Sequence, residues 1–245
     1  MKQILVSGVS RGIGQATAEL LLAKGYKVYG TYNKNEQAAR QLEEKHEGLT
    51  VYQVDLGNLS EIAALAEKLK GVMLDGIVNA AGVFINIDFI QLEQEDFEKT
   101  FRVNAFAPVY LVQGLQANLN DGASIVNVAS TDAFLGSIVG IAYSASKAAL
   151  LNATQSLANI LASRKIRVNA IAPGWIGDGM QAPEELLKIA ADYNPLKRTA
   201  SYNEVAEVID FLLSEKASYI NGTTITVDGG DMATNYILQK EAELS

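Results

Sequence analysis

Ile4-Leu5-Val6 runs without interruption into Ser7-Gly8-Val9-Ser10-Arg11-Gly12-Ile13-Gly14, and from there into a helical pattern carried by Ala16, Leu20 and Ala23. A short apolar strand, a glycine turn and a helix in that order leave few folds open. Glycine tolerates positive φ and, lacking a Cβ, lets an anion approach the backbone closely. The following helix offers that anion unpaired N–H groups and the positive end of its dipole. The spacing is Gly-x-x-x-Gly-x-Gly, a departure from the Gly-x-Gly-x-x-Gly of the usual dinucleotide fingerprint. By itself it points to a phosphate cradle without naming the ligand.

The rest of the chain repeats the alternation. Short apolar, mostly β-branched runs at Gln3–Ser7, Lys27–Thr31, Thr50–Val54, Gly76–Asn79, Ser124–Ala129, Arg167–Ile171 and Thr223–Val227 predict parallel strands covered on both faces. Helical patterns fall between them at 13–25, 35–46, 59–70, 94–118, 141–163 and 203–214. With right-handed crossovers this order winds into one sheet, with ligand sites at the carboxyl ends of the strands. The expectation is an α/β fold, a single-domain, doubly wound (Rossmann) parallel sheet of about seven strands with helices on both faces, spanning residues 1–245. No internal repeat, low-complexity tract or linker divides it.

In the fifth helical pattern Tyr143 and Lys147 stand one helical turn apart, so a phenol and an ammonium project from one face. A free phenol is a poor acid, with a pKa of ~10, and a neighbouring cation lowers that value. General acid–base catalysis works best when the pKa approaches the working pH. A serine hydroxyl beside the phenol, supplied by Ser130, would hold a carbonyl oxygen while it gains or loses a proton. That is chemistry for interconverting a ketone and an alcohol. The spacing is not specific alone, because any amphipathic helix can place a tyrosine one turn before a solvated lysine.

Taken together, Gly8, Gly12, Gly14, Asn104, Ser130, Tyr143 and Lys147 resemble the short-chain dehydrogenase/reductase family, over a span from Lys2 to about Gly230. Asp55-Leu56, Asn79-Ala80-Ala81-Gly82, Pro173-Gly174 and Val227-Asp228-Gly229-Gly230 continue the likeness in order. The pattern is most similar to the 3-oxoacyl-[acyl-carrier-protein] reductases. The resemblance implies that Tyr143 is the general acid and that Ser130 hydrogen-bonds the substrate oxygen. It implies that Lys147 depresses the tyrosine pKa and holds the nicotinamide ribose, and that Asn104 interrupts its helix to keep a water in a proton relay. Asparagine is a mediocre choice for an ordinary mid-helix position.

The same resemblance implies a cofactor site made by Gly8, Ser10, Arg11, Gly12, Ile13, Gly14, Thr31, Asn33, Lys34, Asp55, Leu56, Asn79, Ala80, Ala81, Gly82, Tyr143, Lys147, Pro173, Gly174 and Ile176. Ala80 replaces the family's second asparagine. Asp178 stands where the family often has threonine, and a carboxylate there would be repelled by a pyrophosphate. Asp55 either contacts the adenine edge, as in the family, or caps the next helix.

An acid at the end of the second strand suits the ribose 2′-hydroxyl of NAD, whereas a cation suits the 2′-phosphate of NADP. Here Gly30-Thr31-Tyr32-Asn33-Lys34-Asn35 holds no carboxylate before Glu36. Arg11 adds a guanidinium able to grip a phosphate through a charge-assisted fork. The expected cofactor is NADP(H), against the alternative that Arg11 and Lys34 are solvated loop charges.

Composition removes other classes. The chain has no cysteine and one histidine, His46, at the end of a charged helical stretch, so thiolate catalysis, a serine–histidine hydrolase and a metal site are not expected. A net charge of −8 argues against nucleic acid. No apolar run approaches the ~20 residues that span a bilayer and no signal-peptide pattern begins the chain, so the expected setting is soluble and cytoplasmic, away from membranes. The expected substrate is a small-molecule or thioester carbonyl compound. A lid at about 177–199 should cover it, with Thr131, Asp132, Phe134, Gly136 and Phe84 to Phe89 lining the site.

A carrier protein is acidic and needs a basic surface. Gly114–Ser124 carries no lysine or arginine, whereas Arg164, Lys165 and Arg167 cluster elsewhere. A stand-alone ketone reductase and a non-catalytic NADPH sensor are the alternatives. Ala148, Ala149, Ala153 and Ala158 suggest helix faces that pair into a homotetramer or homodimer, unless they pack on the sheet. The tail 231–245, with Tyr236, Ile237 and Leu238, either docks on a neighbouring subunit or frays.

Overall fold

Ile4, Leu5 and Val6 are completely buried, and they alternate between the two faces of one sheet. A strand does this only when helices cover both sides. The structure, a computed structural model, describes residues 1–234, 240, 241 and 244. The greater part of the tail, Tyr236, Ile237 and Leu238 included, lies outside the described residues. The strands are β1 (Gln3–Ser7), β2 (Lys27–Tyr32), β3 (Leu49–Gln53), β4 (Leu74–Asn79), β5 (Leu119–Val128), β6 (Arg167–Pro173) and β7 (Thr224–Val227). All pair in parallel, in the order β3-β2-β1-β4-β5-β6-β7.

The helices are α1 (Gly12–Ala23), α2 (Glu36–Lys45), α3 (Leu59–Lys68), α4 (Gln94–Phe101), α5 (Ala107–Gly114), α6 (Ile141–Leu161), α7 (Glu184–Tyr193) and α8 (Tyr202–Leu213). Ile4, Val6, Val28, Val78 and Val126 face α1, α2 and α8 through Leu21, Leu42 and Ile209. Leu5, Ile77, Ile125 and Val168 face α3, α5 and α6 through Leu65, Leu111 and Leu157. Each such side chain contributes roughly 1.5–3 kcal/mol when fully buried. No described helix is long and apolar enough to cross a membrane.

Three elements differ from the sequence expectation. β5 starts at Leu119 rather than Ser124, through the Asn120-Asp121-Gly122 segment, where Gly122 has φ +83°. Asn-Asp-Gly reads as a turn, and here it is an irregular strand start, with a register shift against β4 between Leu74 and Gly76. The single helix expected over 94–118 is broken by a π-helical turn at Arg102–Phe106 and ends in a short 3-10 turn. The segment 177–199, expected to form a lid, contains a helix of its own, α7, with no buried residue.

The strand order reverses between β1 and β4, which opens a crevice at their carboxyl ends. The glycine turn follows β1, and Ala80-Ala81-Gly82 follows β4, so both lie at that crevice.

Candidate active site

The glycine turn is held from below. Gly8 N and Val9 N both donate to the carbonyl oxygen of Thr31 at 2.9 Å, and the Thr31 hydroxyl adds a longer contact to Gly8 N at 3.4 Å. Thr31 is buried, so it braces the turn. Gly8 has φ +78°, and a Cβ there would lie 2.9 Å from Ala81 Cα; a Cβ on Gly14 would lie 2.3 Å from the Gly8 oxygen. The spacing is therefore set by backbone touching backbone. Ser10, Arg11, Gly12 and Ile13 complete the turn, and the first turn of α1 carries no acid.

Ser7 ties this turn to the next loop. Its hydroxyl accepts from Ala80 N and Ala81 N, both at 3.0 Å. Asn79, 2 % exposed, donates to Asn127 Oδ1 at 2.7 Å. Asn127 in turn donates to the Thr154 hydroxyl at 2.9 Å, and Thr154 donates to the Leu150 carbonyl. A buried polar ladder thus joins β4 and β5 to α6, the helix that carries Tyr143. Ser7, Asn127 and Thr154 were not singled out from the sequence. Their signal is a small polar residue inside an apolar strand or helix run, which needs a partner when buried.

Asn104 lies inside the π turn and is completely buried. Its Oδ1 accepts from Val83 N and its Nδ2 donates to the Val83 carbonyl, both at 2.9 Å. Nδ2 also reaches the Ser146 hydroxyl at 3.1 Å, which donates to the Tyr143 carbonyl. The Ala107 amide bonds Arg102 O across the wider turn, which is the interruption expected of this position. A Cβ on Gly82 would be 3.5 Å from Asn104 Oδ1 and 3.6 Å from Lys147 Nζ, so these groups meet beside the loop that packs on Gly8.

Tyr143 is half-buried, edge-on to Phe84 with ring centroids 5.2 Å apart. Burial pushes its phenol up to about 12; a hydrogen bond with the Ser130 hydroxyl works against the rise and the Asp132 carboxylate adds to it. Lys147 is buried and its ammonium is pushed down to about 8 by loss of water. It donates to the Val128 carbonyl at 2.7 Å and stands 5.6 Å from the centre of the Tyr143 ring. The net shift of the phenol is upward, opposite to the expected lowering: desolvation dominates it, and the Lys147 ammonium is turned to the Val128 carbonyl. Ser130 is extended and caps the turn Thr131–Ala133, accepting from Asp132 N at 3.1 Å.

The remaining expected contacts are spread around the crevice. Asn33 and Lys34 are exposed beyond β2, as is Arg11 in the glycine turn. Neither cation makes a hydrogen bond or ion pair among the described residues, and no carboxylate follows β2 before Glu36. Asp55 Oδ1 accepts from Gly57 N at 2.9 Å, while Asn58 caps α3, so Asp55 shapes the loop without capping the helix. Leu56 is packed in the core. Pro173 ends β6, and Gly174 N bonds the Val227 carbonyl at 3.1 Å. Ile176 is buried and bridges to Ala200.

Two further expectations change. Asp178 accepts the Tyr202 hydroxyl at 2.5 Å, so its carboxylate is engaged by α8. Ala158 is buried against the sheet, whereas Ala148 and Ala149 are exposed and Ala153 is half-buried. Among the described residues no cluster of histidine and carboxylates is arranged to hold a metal ion.

The model of a family described as enoyl-(acyl carrier protein) reductase matches residues 8–231. The 3-oxoacyl-[acyl-carrier-protein] reductase FabG of Aquifex aeolicus is 36% identical over 240 residues, covering 94% of this chain and 96% of that protein. The chain belongs to the short-chain dehydrogenase/reductase family. Among solved structures of this family's kind, the angucycline C-6 ketoreductase LanV with bound NADP superposes with a TM-score of 0.89 at 32% identity, over 95% of this chain and 96% of that one. A blue fluorescent protein from a metagenomic library, in complex with NADPH, gives 0.88 at 30%, over 94% and 97%.

Proposed function

We propose that the chain is an NADP(H)-dependent oxidoreductase that interconverts a carbonyl and an alcohol. The observation that carries this reading is the convergence of Tyr143, Ser130, Lys147 and Asn104 beside a phosphate cradle. The cradle fits a dinucleotide: the glycine turn leads straight into the amino end of α1, whose first turn carries no acid, and exposed Arg11 and Lys34 suit a 2′-phosphate. NADP(H) supplies or accepts the hydride. Ser130 holds the carbonyl oxygen, and Tyr143 delivers the proton. A phenol pushed up to about 12 stays protonated at neutral pH, so the proton to be delivered is in place. Asn104 and Lys147 form the path by which the phenol is reprotonated, and positioning supplies several kcal/mol, on the order of 7–11 at the extreme.

Likeness to the Aquifex enzyme supports a 3-oxoacyl thioester on a carrier protein. A free ketone is the second reading, favoured by where the cations lie. Arg164 bonds Asp121 and the carbonyls of Gln116 and Leu119, and Arg167 bonds those of Leu212 and Ser214. These cations stand at the amino ends of β5 and β6, opposite the crevice, and offer no docking surface beside Ser130. Exposed Phe106 and Tyr110 on the α4–α5 side, with Ala148 and Ala149 on α6, support a homotetramer or homodimer.

Turnover of acetoacetyl thioesters and free ketones with NADPH tests the reading, with Tyr143→Phe as control. The variant should lose at least about a hundredfold in kcat, the scale of general acid catalysis, while NADPH binding by fluorescence persists. Full activity in the variant, or NADPH binding without turnover on any carbonyl, would replace this enzyme with a cofactor sensor or another acid.

A further inference from the structure

Asp132 lies two residues beyond Ser130, and the chemistry above makes no use of it. It sits in the 3-10 turn Thr131–Ala133, fixed to Ser130 by its backbone amide, so its side chain takes no part in the cap. The carboxylate is half-buried, yet among the described residues it makes no hydrogen bond or ion pair. The turn that carries it packs against α6, the helix of Tyr143, and follows directly on Ser130, so the carboxylate lies on the side of the crevice where these two residues meet; its charge adds to the rise of the Tyr143 phenol. Withdrawn carboxylates are ordinarily paired, because desolvating a charge without compensation is costly. The Lys147 ammonium is directed to the Val128 carbonyl and does not pair with this carboxylate. The loop that follows is apolar and open, with Phe134 49 %, Leu135 57 % and Ile138 93 % exposed.

We propose that Asp132 determines substrate choice: it selects carbonyl compounds that carry a hydrogen-bond donor, a hydroxyl or a protonated amine, near the reacting C=O, and it rejects those that carry a carboxylate there. The apolar loop takes the body of the substrate. The assignment deepens the oxidoreductase reading and rests on it. A site built around a polar partner rejects the analogue lacking it, because its own buried group is then left unpaired.

The test is kcat/KM with NADPH for a series of hydroxycyclohexanones and aminocyclohexanones differing in ring position, for cyclohexanone itself, and for the corresponding carboxylates. The full-length protein should prefer the best donor-bearing isomer over cyclohexanone by about tenfold or more, the scale of one hydrogen bond to a charged group. Asp132→Leu should bring that ratio to near one. Asp132→Asn, which keeps the shape and an acceptor oxygen, should raise the relative rate on the carboxylates by about tenfold or more. Ratios within one variant cancel any general loss of activity, and the Asn variant stands if the Leu variant fails to fold.

A wild-type protein that reduces ketones without preference for the donor overturns the inference and leaves the oxidoreductase reading intact. So does a preference that survives Asp132→Leu, or a carboxylate ratio unmoved by Asp132→Asn. Absence of any carbonyl reduction overturns the oxidoreductase reading itself, and this inference falls with it.

Discussion

The Lys147 ammonium donates to the Val128 carbonyl at 2.7 Å and keeps 5.6 Å from the centre of the Tyr143 ring. Burial sets both acidities apart from their ordinary values, the ammonium down to about 8 and the phenol up to about 12. Between those values the phenol still holds its proton while the lysine has lost its charge. The rate of carbonyl reduction, as kcat/KM, should therefore be flat up to about pH 8 and fall above it. A plateau that persists well beyond pH 8 would mean that the charge on Lys147 is not needed for the step.

The same lysine makes stability depend on pH. Its native pKa of about 8 lies below the ordinary 10.5, so between these values the unfolded chain binds the extra proton. Stability then rises with pH across that window, and the cost of burying the charge is fully present below about 8. The span corresponds to a cost on the order of 3 kcal/mol. In Lys147→Met this contribution to the slope should vanish, seen as the difference between urea unfolding curves of the two proteins from pH 7.5 to about 10.5. The neutral-pH gain will be smaller than the full cost, because the Val128 carbonyl loses its donor. Parallel stability–pH curves would contradict the depressed lysine.

The Arg11 guanidinium is exposed and uncommitted to any hydrogen bond or ion pair among the described residues. Its value to a ligand is thus undiminished by internal partners. Arg11→Ala should weaken NADPH by about tenfold or more, one charge-assisted contact, and leave NADH within about twofold. Titration of both dinucleotides by fluorescence separates these outcomes. Equal losses for the two would assign Arg11 to the shared pyrophosphate arm.

The strands that place this site were legible because buried parallel strands are written as continuous apolar runs, as in Ile4-Leu5-Val6. The glycine turn was legible because no other residue fits where Gly14 meets the Gly8 oxygen. The start of β5 was not, since Asn120-Asp121-Gly122 carries turn chemistry and tertiary pairing overrides it. The break in the helix around Asn104 was implied by the family resemblance and not by local pattern, which gave one helix over 94–118; it rests on the amide reaching across to Val83, a partner over twenty residues upstream. The direction of the Tyr143 shift escaped for the same reason. Spacing shows that a cation is one turn away, but the extent of burial is a property of the whole fold.

Asp178 and Tyr202 supply a relationship that neither residue announces alone. The Tyr202 hydroxyl donates to Asp178 Oδ1, and its ring packs where Gly177 has no Cβ, with the Cβ position of Gly12 3.5 Å away. One side chain of α8 thus holds the start of the 177–199 segment next to the glycine turn. Tyr202→Phe keeps the ring and removes the hydroxyl, which isolates the bond from the packing. NADPH release, followed by stopped-flow fluorescence, should accelerate by up to about tenfold, a moderate share of a charge-assisted bond at a half-exposed position. Trypsin cleavage after Lys188, exposed on α7, should speed up in parallel, because the segment opens more often once its tie is gone. If both rates match those of the unaltered protein, the bond is incidental and the lid is held by the Ile176–Ala200 bridge and the Asn194–Asp228 contact at its two ends.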